Sequence, residues 1–217
     1  MTACLCVALI APTGVAAQEA GPGLPFGTVA VVLPVQSSLP SPGGAWPAGA
    51  ASEEAAVRAM DAELAFALVE RRGARDWALA QELRRGTARN PTLDVDPDRV
   101  AYQGLLKAPD RREQLYEPLH GQLRALAALH GTRFVVLPLV LRSAAVDPSG
   151  TDEAAGANES CKHGAPRERP ELLLALIDIR RSAVLWHGAI RGPAGCPESG
   201  GLLAGLAAQV ALQLTDS

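Results

Sequence analysis

Aromatic residues are scarce in this chain. Three Trp, two Tyr and three Phe make up 4% of its 217 residues, so leucine, valine and alanine must fill most of any core. The apolar fraction of 48% is nevertheless enough for one domain of ordinary size. Lysine is also rare, with only Lys107 and Lys162, and we attribute this bias to a GC-rich genome rather than to a function of arginine.

Two classes of protein are excluded by what the chain lacks. The net charge is −3, without the basic excess or the basic, aromatic-bearing stripes of a nucleic-acid binder. No second long apolar run follows the one at residues 3–11. We therefore expect no nucleic-acid partner and no stable membrane span once that first run is removed.

Residues 1–17 have the pattern of a signal peptide. The apolar run is too short to span a bilayer permanently, and Val15-Ala16-Ala17 fits cleavage after Ala17. No lysine or arginine precedes the run, and a buried N-terminal strand or helix is the alternative. We expect an exported bacterial protein, periplasmic or secreted, with a flexible leader at 18–25 and no lipid anchor.

The remaining residues, 26–217, are predicted to form a single α/β (α+β) domain. Buried-strand patterns occur at 26–35, at 133–142 and in a hairpin at 171–191, with a short edge strand at 75–79. Helical patterns run from Ser52 to Gly73, over 80–88, from Pro118 to Gly131 and over 203–214. We expect a small mixed sheet of about four to five strands packed against three or more helices, with flexible loops at 36–51 and 147–170.

Two prolines add detail to the predicted strands and helices. Pro138 stands inside the 133–142 strand and predicts an edge position or a bulge, because proline removes a ladder donor. Asp96-Pro97 predicts the start of a short helix. The neighbouring Asp94 and Asp98 complete an acidic trio that resembles half a calcium loop, but the EF-hand glycine and glutamate are missing. We interpret the trio as a helix start rather than a metal site.

The hairpin at 171–191 is the clearest element of the chain. Its turn at Arg180-Arg181-Ser182 contains no glycine or asparagine, which disfavours a two-residue primed turn. One register places Asp178 and His187 on one face of the hairpin. The same register places the apolar residues on the other face, against helix 53–72 or 202–214: Ile177, Ile179, Val184 and Trp186.

Two cysteines, Cys161 and Cys196, flank this hairpin. Folding the hairpin brings both flanks to its open end, and an exported protein meets an oxidising solvent, so we predict a Cys161–Cys196 disulfide. Zinc bound by these thiolates with His163 and His187 is the alternative, although Cys161-x-His163 is not a usual close ligand pair. We predict no metal and no cofactor.

Catalytic signatures are missing from the sequence. It contains no Gly-x-Ser-x-Gly elbow, no phosphate loop and no His-Glu-x-x-His helix. A serine, a histidine and an acid can still meet in space without any local motif. We predict that the protein is not an enzyme.

The order of elements and three strings resemble a group of bacterial envelope proteins. The strings are Val29–Val35 leading to a helix that ends in Arg71-Arg72-Gly73, Arg133–Pro138, and Leu176–Gly188. The group comprises the amino-terminal domain of TolB, the curli assembly protein CsgG and the lipoprotein activators of penicillin-binding proteins. This resemblance covers most of 26–214 and implies a helix packed on a small mixed sheet, with assembly or scaffolding work and no catalysis.

The chain departs from that group in three respects. It has no lipoprotein cysteine, no stretch that matches the membrane-spanning hairpins of CsgG, and no propeller repeats like those of TolB. The resemblance therefore supports the soluble domain and disfavours pore formation.

We accordingly expect a non-catalytic accessory or scaffold domain that binds an envelope protein or a cell-wall component. Loops 36–51 and 147–170 are the expected contact surfaces. Trp46 is either an exposed anchor for the partner or a residue folded back onto the core, and the sequence favours neither. A structural subunit of an envelope or secretion assembly is the alternative, followed by a metal-binding protein or an unmarked hydrolase; the oligomeric state stays open.

Overall fold

The computed structural model describes residues 23–24, 27–41, 44–107, 115–146, 161, 167–197 and 201–216. The predicted signal peptide 1–17, most of the leader 18–25 and most of the loop 147–170 lie outside the described residues. Within the described part of the chain, no helix combines the length and the hydrophobicity needed to cross a membrane.

Six strands of the described part of the chain form one mixed sheet. They are β1 (Ala30–Val32), β2 (Ser37–Ser38), β3 (Trp77–Ala78), β4 (Phe134–Ala145), β5 (Glu168–Asp178) and β6 (Ala183–Arg191). The order across the sheet is β3-β1-β4-β5-β6, and β2 pairs with the far half of β4. Pairs among β1, β2, β3 and β4 are parallel, whereas β4–β5 and β5–β6 are antiparallel. This arrangement confirms the predicted fold class and the edge position of the strand at Trp77.

In the described ranges, five α-helices accompany the sheet: α1 (Glu53–Arg72), α2 (Ala80–Arg89), α3 (Gln103–Lys107), α4 (Leu119–Leu129) and α5 (Gly201–Thr215). Short 3-10 turns lie at Pro47–Gly49, Ala74–Asp76 and Pro91–Leu93.

Helix α1 begins and ends where its sequence predicts. The Ser52 hydroxyl accepts a hydrogen bond from Ala55 N at 3.2 Å, which satisfies one of the free donors of the first turn. Gly73 ends the helix with φ +85°, a conformation that favours glycine. Arg72 in the last turn donates to the carbonyl oxygens of Leu24 and Thr215, and so ties α1 to both terminal segments.

The sheet carries a core on each face. Helices α1 and α5 cover one face and form the α1/α5 core with β-strand residues such as Val32, Val136 and Leu174. Helices α2 and α4 cover the other face and form the α2/α4 core with Val31, Leu137 and Ile177. Strands β1, β4 and β5 are buried on both sides, which explains their nearly continuous apolar sequences.

Pro138 lies in the central strand β4, so the predicted alternative of an edge position is wrong and that of a bulge is confirmed. The register of β4 against β5 shifts between Pro138 and Val140. The Pro138 carbonyl accepts from Gln36 N at 3.1 Å. The bulge absorbs the missing donor and lets β4 continue to Ala145.

The predicted helix start at Asp96-Pro97 is wrong. Residues 94–102 are irregular, and the next helix, α3, begins only at Gln103. Asp96 Oδ1 accepts from Asp98 N at 3.0 Å, which closes an Asx turn in place of a first helical turn. Asp98 itself is engaged by Arg84 and is not available to cap a helix.

The predicted hairpin exists, but its assignment of faces is wrong in part. The register shifts between Leu176, which pairs with Trp186, and Ile177, which pairs with Val184. Leu185 is the extra residue of this bulge and is 46% exposed. Val184 therefore joins the α2/α4 core together with Ile177 and Ile179, while Trp186 packs against the α1/α5 core.

Candidate functional site

Part of the predicted 36–51 loop is built onto the sheet. Ser37 and Ser38 form β2 opposite Val140 and Leu141 of β4. The Ser37 hydroxyl donates to Leu139 O at 3.2 Å and accepts from the Tyr102 hydroxyl at 3.0 Å. Because these contacts fix the entry to the loop, Leu39 follows at a defined place, with its side chain 49% exposed.

Trp46 lies at the far side of this loop. Its side chain is half-buried and packs against the α1/α5 core, which is the folded-back arrangement of the two that the sequence left open. The turn before it is closed by Ser41 N donating to Ala45 O at 2.7 Å. Trp46 then leads into the 3-10 turn Pro47–Gly49. Its role as a partner contact stays a prediction.

The same end of the sheet carries the two predicted bridging cysteines. The Sγ atoms of Cys161 and Cys196 lie 2.12 Å apart and their Cα atoms 5.2 Å apart, the geometry of a disulfide. Gly195 is bound to the start of β5, since Glu168 N donates to Gly195 O at 2.8 Å and Gly195 N donates back at 2.9 Å. The 195–197 segment therefore extends the sheet next to the loop that contains Gly49.

An ionic cluster forms around the buried Asp61 of α1. Asp61 accepts from Val35 N at 2.8 Å and from the Arg84 guanidinium at 2.7 Å. Arg84 reaches Asp98 through both Nε and Nη2, at 2.6 to 3.0 Å. Burial raises the pKa of Asp61 despite these favourable partners. The hydrogen bond to Asp98 holds the pKa of Arg84 above its ordinary value, so the guanidinium stays charged.

The cluster stands beside an open cleft of about 440 Å³. Asp94, Asp96 and Arg99 from the irregular segment line one wall, and Asn90 and Gln122 contribute from the helical side. Groups of three or more His, Cys, Asp or Glu suited to a metal ion do not occur in the described ranges. The acidic trio thus contributes two residues to a polar cleft and one to the ionic cluster.

At the opposite end of the sheet, Asp178 organises the hairpin turn. Its carboxylate is 1% exposed, accepts from Arg133 Nε at 2.9 Å and receives the backbone N–H groups of Arg180 and Arg181 at 3.0 and 3.3 Å. The hydrogen bond from Arg133 is the largest influence that lowers the pKa of Asp178. This cluster sets the conformation of the turn that the sequence could not define.

The turn also brings together residues that sequence reasoning missed. The Ser182 hydroxyl lies 2.8 Å from His120 Nε2, and His120 Nδ1 lies 3.5 Å from Glu117 Oε1. Ser182 and His120 are 62 residues apart. Ser182 is not part of a Gly-x-Ser-x-Gly elbow, so no local signal in the sequence could have indicated this contact.

Neither a known family model nor a curated protein matches the chain. Among solved structures, the LpoB C-terminal domain from Salmonella enterica is 15% identical with a TM-score of 0.39, covering 81% of this chain and 87% of that one. The PelC dodecamer from Paraburkholderia phytofirmans is 16% identical with a TM-score of 0.41, covering 90% and 94%. At this identity and with TM-scores below 0.5, the likeness does not place the chain in either family.

Proposed function

We propose that this chain is an exported accessory or scaffold protein of the bacterial envelope, acting by binding another envelope protein or a cell-wall component. The observation that carries the exported location is the Cys161–Cys196 disulfide. Disulfides persist in oxidising compartments such as the bacterial periplasm, and are rare in the cytosol. The signal-like pattern of residues 1–17 supports the same location.

The contact surface that we propose is the loop surface, formed by residues 39–41 and 44–50. Leu39 supplies exposed apolar area, and the accessible part of Trp46 adds an aromatic side chain of the kind favoured at binding hot spots. The surface is braced by β2, by the Ser41–Ala45 turn and by its contact with the 195–197 segment. A braced loop loses little conformational entropy when it binds, which favours recognition.

A matched pair of variants tests this surface. The tagged full chain is cross-linked in an envelope fraction, and the captured proteins and wall fragments are compared between Leu39→Asp and Phe66→Asp. Phe66 is 68% exposed on α1, so its substitution introduces the same charge on a different surface. Leu39→Asp should lose the captured partner and Phe66→Asp should keep it. Equal capture by both variants would contradict the proposal.

A structural subunit of an envelope assembly is the second candidate. The observation in its favour is that β6 stands last in the strand order and pairs only with β5 among the described strands, the position at which a strand from another subunit can extend a sheet. Multi-angle light scattering of the purified protein separates the two: a monomer at micromolar concentration excludes the assembly subunit.

A further inference from the structure

Three polar side chains form a continuous chain of contacts between α4 and the hairpin turn. Ser182 Oγ lies 2.8 Å from His120 Nε2. The other ring nitrogen, Nδ1, faces Glu117 Oε1 at 3.5 Å. The second carboxylate oxygen, Oε2, accepts from Gly121 N at 3.1 Å, which holds Glu117 on the Nδ1 side of the ring. Hydroxyl, imidazole and carboxylate thus stand in the order of a nucleophile, its general base and the group that orients the base.

The backbone of Ser182 is strained. Its φ is +52°, in the left-handed region that glycine and asparagine adopt far more readily than serine. The serine is nevertheless held there by two backbone hydrogen bonds, from Leu115 N to Ser182 O at 2.9 Å and from Ser182 N to Ile179 O at 3.3 Å. A serine kept in an unfavourable conformation, with its hydroxyl on an imidazole, is the combination expected where the hydroxyl has a chemical role.

The surroundings of Ser182 suit a reaction at the surface. The His120 side chain is 21% exposed and that of Glu117 is 71% exposed, so small molecules can reach the imidazole and the hydroxyl. Two exposed arginines, Arg180 and Arg181, immediately precede the serine. Arg181 Nε lies 3.8 Å from Asp178 Oδ2, and the two arginines add positive charge to the turn that carries the serine. Positive charge near a reacting ester favours the negative charge that develops on its carbonyl oxygen.

We propose that Ser182 is a nucleophilic serine that reacts with small activated acyl esters, with His120 as general base and Glu117 as a positioning residue. Ser182 Oγ forms a bond to the ester carbonyl carbon while its proton passes to His120 Nε2. The bond to the leaving alcohol then breaks, and the imidazolium returns the proton to that alcohol. Water repeats both steps on the acyl-serine, which releases the carboxylic acid and restores the hydroxyl.

This activity goes beyond the proposed binding role and is separable from it in space. Ser182 follows the end of β5 that pairs with Phe134, whereas the loop surface lies near the other end, where Ala145 pairs with Glu168. Substitutions at Ser182 and at Leu39 should therefore have independent effects.

The test uses the full chain and a fluorophosphonate probe, with the modified residue located by mass spectrometry and hydrolysis of p-nitrophenyl acetate as a second measurement. The native chain should be labelled at Ser182. Labelling and hydrolysis should fall by about 100-fold or more in Ser182→Ala, which lacks the nucleophilic hydroxyl. The same fall is expected in His120→Gln, because the glutamine side-chain amide cannot take up the proton from Ser182. His130→Gln, at the other end of α4, is the histidine control and should react like the native chain.

Ser182→Gly distinguishes a chemical role from a structural one. Glycine relieves the strain at φ +52°, so this variant should melt about 2–4 °C higher than the native chain while losing all labelling. Glu117→Gln should slow labelling about tenfold without changing the melting temperature, because its side chain is exposed. Absence of labelling in the folded native chain, or equal labelling of Ser182→Ala, would overturn the proposal.

Discussion

The indole ring of Trp186 lies directly over Gly188, two residues further along the same face of β6. A Cβ atom at position 188 would stand 2.6 Å from Cζ2 of the ring and 2.9 Å from Cη2, closer than van der Waals contact allows. The ring is partly buried and packs against the α1/α5 core, so moving it away would disturb those contacts. Glycine at position 188 is therefore favoured by the position of the tryptophan ring, and its backbone φ does not require glycine.

We predict that Gly188→Ala lowers the free energy of unfolding by about 1–3 kcal/mol, the usual cost of forcing extra volume into a packed region. Urea denaturation followed by tryptophan fluorescence measures this directly. Gly104→Ala in α3 is the matched control, since a Cβ there meets nothing within 4 Å. That variant should be unchanged or more stable by up to about 1 kcal/mol, because alanine has the higher helix propensity. Similar losses in both would show that the Trp186 contact is not the cause.

Asp178 should make the protein sensitive to acid. Its pKa is lowered in the folded state, first by the hydrogen bond from Arg133, so the folded protein binds this proton less tightly than the unfolded chain. The stabilisation is present above the ordinary Asp pKa of about 3.9 and is lost as pH falls through the lower folded value. Native protein should lose more unfolding free energy than Asp178→Asn between pH 5 and the acid limit, measured by denaturation at each pH. Parallel curves for the two proteins would contradict this.

Asp61 should affect the pH dependence of stability in the opposite direction to Asp178. Burial raises its pKa in the folded state, so the folded protein binds this proton more tightly than the unfolded chain does. Its contribution is present below the ordinary Asp pKa and is lost as pH rises through the higher folded value. The stability advantage of native protein over Asp61→Asn should therefore shrink as pH rises above about 4. A growing advantage would show that Arg84 and Val35 outweigh the burial of the carboxylate.

The helices and strands that were predicted best from the sequence are marked by sequence signals that lie within a few residues of one another. Helix α1 has its serine cap and its terminal glycine, and α4 has a stripe of leucines that ends before Gly131. These features act locally, so they can be recognised without the rest of the fold. The strand patterns of β1, β4 and β5 were equally clear because both faces of these strands are buried.

Features that depend on register could not be predicted. The bulge at Leu185 places Val184 and Trp186 on opposite faces, although simple alternation puts them on one face. Strand β2 has two residues and owes its place to pairing with β4, 102 residues away at the Ser37–Leu139 contact. The sequence could not decide whether Trp46 is exposed or folded back onto the core, because the burial of its side chain depends on the distant α1/α5 core. Contacts of this kind become visible only when the tertiary structure is known.

The Cys161–Cys196 bridge should be a major source of stability. It closes a loop with a sequence separation of 35, and the chain-entropy model gives about 4 kcal/mol for such a loop. We predict that Cys161→Ala/Cys196→Ala, in a chain beginning at Gln18, loses about this much unfolding free energy in urea. Reductant should destabilise the native chain by a similar amount and leave the double variant unchanged.

The Arg71→Ala exchange, which removes an exposed pair with Asp216, is the control and should cost less than about 1 kcal/mol. Two free thiols in the oxidised native protein, found by alkylation and mass spectrometry, would contradict the bridge, and zinc in the same sample would support the metal alternative instead.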